Sequence, residues 1–185
     1  MIKNTNKILA FEYLVYRLIE WYNESMSLTN VVPSHFSRLS VLKLLFLTAA
    51  VKNEAVDDAN RKDLLNTFDK FCAMQYGPVE IDIYSAIVNG FTSVFTLGNN
   101  SIEYKSQNLD VFSKLSETTR ESIDTAIKVL QSKNPHIIKY NASQLVNITH
   151  KWQSWQNAMW LAEIAGNRQS PMPTESIRKD IQYYG

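Results

Sequence analysis

The sequence predicts a mainly α protein, one compact helical domain over residues 1–185 with a single small β-hairpin at about 93–105. Two kinds of observation carry that reading. Apolar side chains recur at spacings of three and four in most segments, which is the signature of helices with one buried face. One stretch breaks the pattern: TSVFTLGNNSIEYKS places two short β-favouring runs on either side of Gly98-Asn99-Asn100, a good hairpin turn. At 185 residues with 45% hydrophobic content, the chain has enough apolar material for one core.

The first helix spans about 6–23, where Ile8, Phe11, Val15, Leu18 and Tyr22 form the stripe. Ser25 to Ser37, with Pro33, reads as a loop. Residues 39–52, LSVLKLLFLTAAVK, form a second helix that is apolar on nearly every side and so belongs in the middle of the fold. Lys43 is its exception, and an ammonium there must reach water or pair with a carboxylate.

After a polar run, the reading continues with a third helix at about 62–75. Leu64, Leu65, Phe68, Phe71, Cys72 and Met74 supply its buried side. Gly77 then serves as a left-handed helix stop and Pro78 as the first residue of the next helix. Glu80 and Asp82 lie in its first turn or so, where the helix dipole favours carboxylates. Val79, Ile83, Ile87 and Phe91 carry its apolar face, and Gly90 ends it. The alternation Val79-Ile81-Ile83 also fits a strand; the continued spacing past Ile83 favours the helix.

Beyond the hairpin, a helix spans about 117–132 with Ile123, Ile127 and Leu130 as its stripe. Thr118 with Glu121, or Ser116, caps it. Asn141 caps the short helix ASQLVNITH, with Gln144 at the reciprocal position. Residues 151–165 carry Trp152, Trp155, Met159, Trp160 and Leu161, and Gly166 stops that helix. QSPMP is a loop, and Thr174 caps a last amphipathic helix containing Ile177, Ile181 and Tyr184.

Composition excludes several function classes. Nineteen basic residues face 18 acidic ones, with no block of like charge, so a basic stripe for nucleic acid is absent from the sequence. One cysteine, Cys72, rules out an internal disulfide and a zinc site of several thiolates. His35, His136 and His150 are too far apart for a paired-histidine metal motif. No nucleophile–base–orienter set follows from spacing, so the chain does not read as an enzyme, and no cofactor or metal is expected. No apolar run approaches the roughly 20 residues of a membrane span, and no secretory leader is visible. A cytoplasmic location fits the cysteine usage. Aromatic residues reach 11%, which suits both a core and the anchors of a protein interface.

Three segments together go further: LSVLKLLFLTAA (39–50), FCAMQYGPVEIDIY (71–84) and LVNITHKWQSW (145–155). In this order and spacing the chain resembles the Panacea domain, the SocA-like antitoxin family. Lys43 and Phe46 match the family's lysine-bearing apolar helix. Phe71, Ala73, Tyr76, Gly77, Pro78, Val79 and Tyr84 match its central motif, and Thr149, His150 and Trp155 its last. The sequence departs from the pattern at Ser40, where a lysine is frequent, at Leu42, where a polar residue is frequent, and in lacking a proline just before the last tryptophan. The resemblance implies an antitoxin that neutralises a cognate toxin protein by direct binding. The alternative it implies is a proteolytic adaptor that hands the toxin to a AAA+ protease. The motif residues are then structural or partner-binding. His150 is expected to tie the C-terminal helices to the Tyr76-Gly77-Pro78 corner.

Overall fold

A computed structural model describes residues 5–52 and 63–185. Most of the polar run 51–63 and the first residue of the expected third helix lie outside the described residues.

Helix α1 (Thr5–Met26) buries Phe11, Val15 and Leu18 of the expected stripe, with Leu14 beside them, and leaves Ile8 and Tyr22 half-buried. Helix α2 (Arg38–Ala50) is buried from Ser40 to Ala50, as its all-round apolar character requires. It begins at a reciprocal cap. Ser37 Oγ accepts from the Ser40 amide, and Ser40 Oγ accepts from the Ser37 amide at 2.7 Å. The departure from the family pattern at Ser40 therefore serves the helix start. Around α2 pack α1, helix α4 (Glu117–Lys133), helix α5 (Ala142–Thr149) and the first hairpin. Ser116 caps α4, accepting from the Thr119 amide, and Asn141 with Gln144 forms the expected box on α5.

The segment read as a third helix is not one. After a short 3-10 turn at Leu64–Asn66, the chain enters strand β1 (Phe71–Met74), reverses at Gln75-Tyr76, and returns as strand β2 (Gly77–Glu80). The pairing is antiparallel, with Ala73 opposite Pro78 and Met74 opposite Gly77. Burial alternates along β1: Phe71 and Ala73 are buried, Cys72 and Met74 half-buried. That is the period of a strand. The fold is thus mainly α with two hairpins, not one. Gly77 has a positive φ of 93°, as a left-handed stop would, but it follows a strand turn and not a helix.

Pro78 does not open a helix either. Helix α3 (Ile81–Val88) starts three residues later, capped by the Glu80 carboxylate, which accepts from the Ile83 amide at 2.8 Å. β2 is an edge strand, a place where a proline is tolerated because no neighbour needs its missing amide.

Strands β3 (Phe95–Leu97) and β4 (Ile102–Tyr104) form the hairpin expected at 93–105. Helix α6 (Gln153–Ile164) packs on β1. The QSPMP loop contains a two-residue strand, β5 (Ser170–Pro171), which adds to β1 and completes the order β2-β1-β5. Helix α7 (Thr174–Lys179) is preceded by Pro173, so Thr174 is its first residue and not its cap.

Two polar staples hold α1 in place. Glu12 is fully buried, and its carboxylate accepts from the amides of Ser93, Val94 and Phe95 and from Ser93 Oγ. Lys7 places its ammonium among Asp69, Glu80 and Asp82, at 2.7, 2.7 and 2.9 Å.

Candidate functional site

The motif residues converge on one buried amine. Lys43, in the middle of α2, is 0% exposed, and its Nζ donates to the Pro78 carbonyl at 2.6 Å. The expectation that it reaches water or a carboxylate is therefore corrected. The acceptor is backbone, on the edge of the three-stranded sheet, where an unpaired carbonyl would otherwise be left in the core. Burial alone drives the amine's pKa down to about 7.

Gly77 sits directly against this amine. A Cβ there would lie 2.5 Å from Thr149 Oγ1 and 3.2 Å from Lys43 Nζ. Glycine is thus required twice, once by its φ and once by the close approach of two side chains. Thr149 is fully buried, and its hydroxyl donates back to the Val146 carbonyl of its own helix.

His150 follows Thr149 at the end of α5. Its ring lies flat on Trp155, with centroids 3.8 Å apart and planes 8° from parallel. Burial, and after it the charge of Lys43, holds the imidazole below its ordinary pKa; the Gln75 backbone works against both. Trp155 Nε1 donates to the Met74 carbonyl at 3.0 Å. The stacked pair therefore bridges α5 and α6 to the β1–β2 hairpin.

Beneath this layer, Phe46 packs edge-on against Phe71 and against Trp152, at 5.3 and 4.9 Å. Trp152, which matches no motif position, is fully buried and donates Nε1 to the Tyr183 carbonyl. Ala73 shares one face of the sheet with its cross-strand partner Pro78, and Val79 is buried on the other face, opposite Cys72. Two motif residues stand outside the cluster. Tyr76, at the hairpin tip, is 60% exposed, and Tyr84 meets the Arg38 guanidinium at 5.8 Å.

A model of the family described as antitoxin SocA-like, Panacea domain, matches residues 41–156. The chain belongs to this family. No curated protein and no solved structure matches it. The Panacea match runs from α2 to the start of α6, so it encloses the lysine, the hairpin and the His150–Trp155 stack. Membership of an antitoxin family supports an antitoxin role, and with it a toxin partner, in general terms. No helix among the described residues is long and apolar enough to cross a membrane.

Sequence reasoning missed Glu12 and Lys7. Both were legible only as polar interruptions of an apolar stripe, because their partners lie more than 60 residues away. Asp69, Glu80 and Asp82 form a group with metal-ligand spacing, and the Lys7 ammonium already occupies its centre. Burial lowers the Lys7 pKa, but hydrogen bonds to the three carboxylates outweigh it and the net shift is upward. Cys72 is half-buried, and burial raises its thiol pKa, the opposite of what a nucleophile needs.

Proposed function

We propose that this protein neutralises a cognate toxin in the cytoplasm by binding it directly, with no covalent chemistry of its own. The observation that carries the reading is the antitoxin family match over residues 41–156. The arrangement of the motif supports it. The two titratable motif residues are engaged within the protein, Lys43 by the Pro78 carbonyl and His150 by the Trp155 ring. Lys43, Phe46, Phe71, Ala73, Gly77, Pro78, Val79 and Thr149 act as the scaffold that fixes the hairpin. His150 and Trp155 support its turn from below. Tyr76 and Tyr84 remain available to a partner.

Co-expression with the product of an adjacent small open reading frame tests the proposal. Growth is restored, both proteins accumulate, and the two co-elute from a sizing column. No rescue from either neighbouring frame contradicts the antitoxin reading. Rescue that requires a AAA+ protease, with faster loss of the toxin, replaces binding with the adaptor mechanism.

A further inference from the structure

The turn between β1 and β2 is held by three side chains, and two of them titrate. Lys43 Nζ donates to the Pro78 carbonyl, Trp155 Nε1 donates to the Met74 carbonyl, and the His150 ring engages the Gln75 backbone. The three come from α2, α6 and the end of α5, so three helices meet the sheet at this turn.

Hydrogen-bonding capacity decides which charge state the corner accepts. Lys43 is fully buried, and among the described residues its amine has one acceptor. An ammonium brings three protons and a full charge to that oxygen; a neutral amine brings two protons and no charge. His150 Nε2 is buried without a hydrogen-bond partner. A neutral ring can leave that nitrogen unprotonated, whereas an imidazolium places an N–H there with nothing to receive it.

No carboxylate among the described residues pairs with either group. The buried ones are committed elsewhere: Glu12 to the amides of residues 93–95, Glu80 to Lys7 and the Ile83 amide, and Asp180 to the Ser154 amide. On β1, the Cys72 thiol feels the charge of Glu80, and the buried Tyr184 hydroxyl donates to Gln182. Lys151, beside His150, is exposed and adds positive charge. The charge of Lys43 itself opposes the imidazolium. A proton on one group therefore disfavours a proton on the other.

We propose that Lys43 and His150 form an acid-sensitive latch on the β1–β2 turn. Uncharged, they hold the turn shut. Protonation of the amine, and then of the ring, opens the hairpin locally while the helices around it stay folded, and the exposed Tyr76 ring moves with it. The latch goes beyond the antitoxin reading and does not depend on it.

The direction follows from proton uptake. The amine titrates near 7 when closed and near 10.5 when freed, so opening takes up a proton between those values and is favoured as pH falls. The ring is held below its ordinary 6.5 when closed, so it adds a second uptake under that pH.

Hydrogen exchange on the full-length protein tests the latch. NMR follows it as protection factors, in which the intrinsic pH dependence of exchange cancels. The amides of Cys72 and Val79, partners across the hairpin, report its opening. Ile127 in α4 reports the surrounding fold. In urea too dilute to unfold the protein, protection at Cys72 and Val79 falls by about tenfold from pH 8 to pH 6 and stays below that of Ile127 throughout. His150→Gln keeps the change above pH 6.5 and loses the part below it. Lys43→Met loses most of the change, and its His150 ring titrates at higher pH than in the wild type.

Equal protection at the hairpin and at Ile127 across the range overturns the latch, because only global unfolding then responds. Hairpin protection that does not vary with pH in the wild type also overturns it, whether or not Lys43→Met folds. A His150 titration indifferent to Lys43→Met breaks the coupling of the two groups and overturns the latch as a pair. None of these outcomes bears on toxin binding, so the antitoxin reading is judged separately.

Discussion

Lys43 Nζ and the carbonyl oxygen of Pro78 lie 2.6 Å apart, and this bond joins the central helix to the edge of the sheet. The proline has no amide to offer, and the lysine supplies a donor for the carbonyl that remains. Burial without a counter-carboxylate is the cost of the arrangement, and it appears as the lowered pKa of the amine.

That shift gives a pH dependence with a defined sign. The amine titrates near 7 when folded and near 10.5 when unfolded. Between those values the unfolded chain binds more protons, so stability rises with pH. The gain from this group is about 2 kcal/mol between pH 7 and pH 9. Urea titrations across that range are expected to show the rise in the wild type and a flatter profile in Lys43→Met.

Gly77 and Gly90 both have positive φ, but only Gly77 is crowded. Gly90→Ala is expected to cost about 1–2 kcal/mol, the strain of the left-handed backbone alone. Gly77→Ala adds the overlap with Thr149 and Lys43 and is expected to cost about 2–4 kcal/mol. Chemical denaturation of the two variants side by side isolates the effect of the close approach.

His150→Ala removes a ring stacked on Trp155 and is expected to lower stability by about 1–2 kcal/mol while leaving neutralisation intact. Melting temperature and growth rescue read the two effects separately. Unchanged melting with lost rescue would show that the imidazole serves the partner and not the fold.

Glu12→Gln keeps the size of the side chain but leaves one carbonyl oxygen to face donors from residues 93–95 and turns an NH₂ group toward the rest. The expected loss is about 2–3 kcal/mol. Hydrogen exchange at the amides of Ser93, Val94 and Phe95 should quicken before exchange in α2 does, because the staple fails locally first.

The long helices were legible because each carries its period over several turns: α1 through Phe11, Val15 and Leu18, and α4 through Ile123, Ile127 and Leu130. The β3–β4 hairpin was legible from its Gly98-Asn99-Asn100 turn. The β1–β2 hairpin was not. Its strands are four residues long, too short to display alternation clearly. Phe68, Phe71 and Cys72 happen to fall at helical spacing. Gly77 and Pro78 carry the same local chemistry at a helix end as at a strand turn, so neither discriminates. The site was partly legible. The three motif segments could be named from the sequence. The acceptor for Lys43 could not, since it is a backbone oxygen 35 residues away and any residue would offer one.

The most direct measurement is reconstitution from purified components. The toxin's activity is assayed while this protein is added, with no protease present. The account predicts inhibition that is complete near a fixed stoichiometry, with both proteins intact and recovered as one complex. Full toxin activity at saturating protein, or inhibition that appears only when a protease and its nucleotide are supplied, would contradict it.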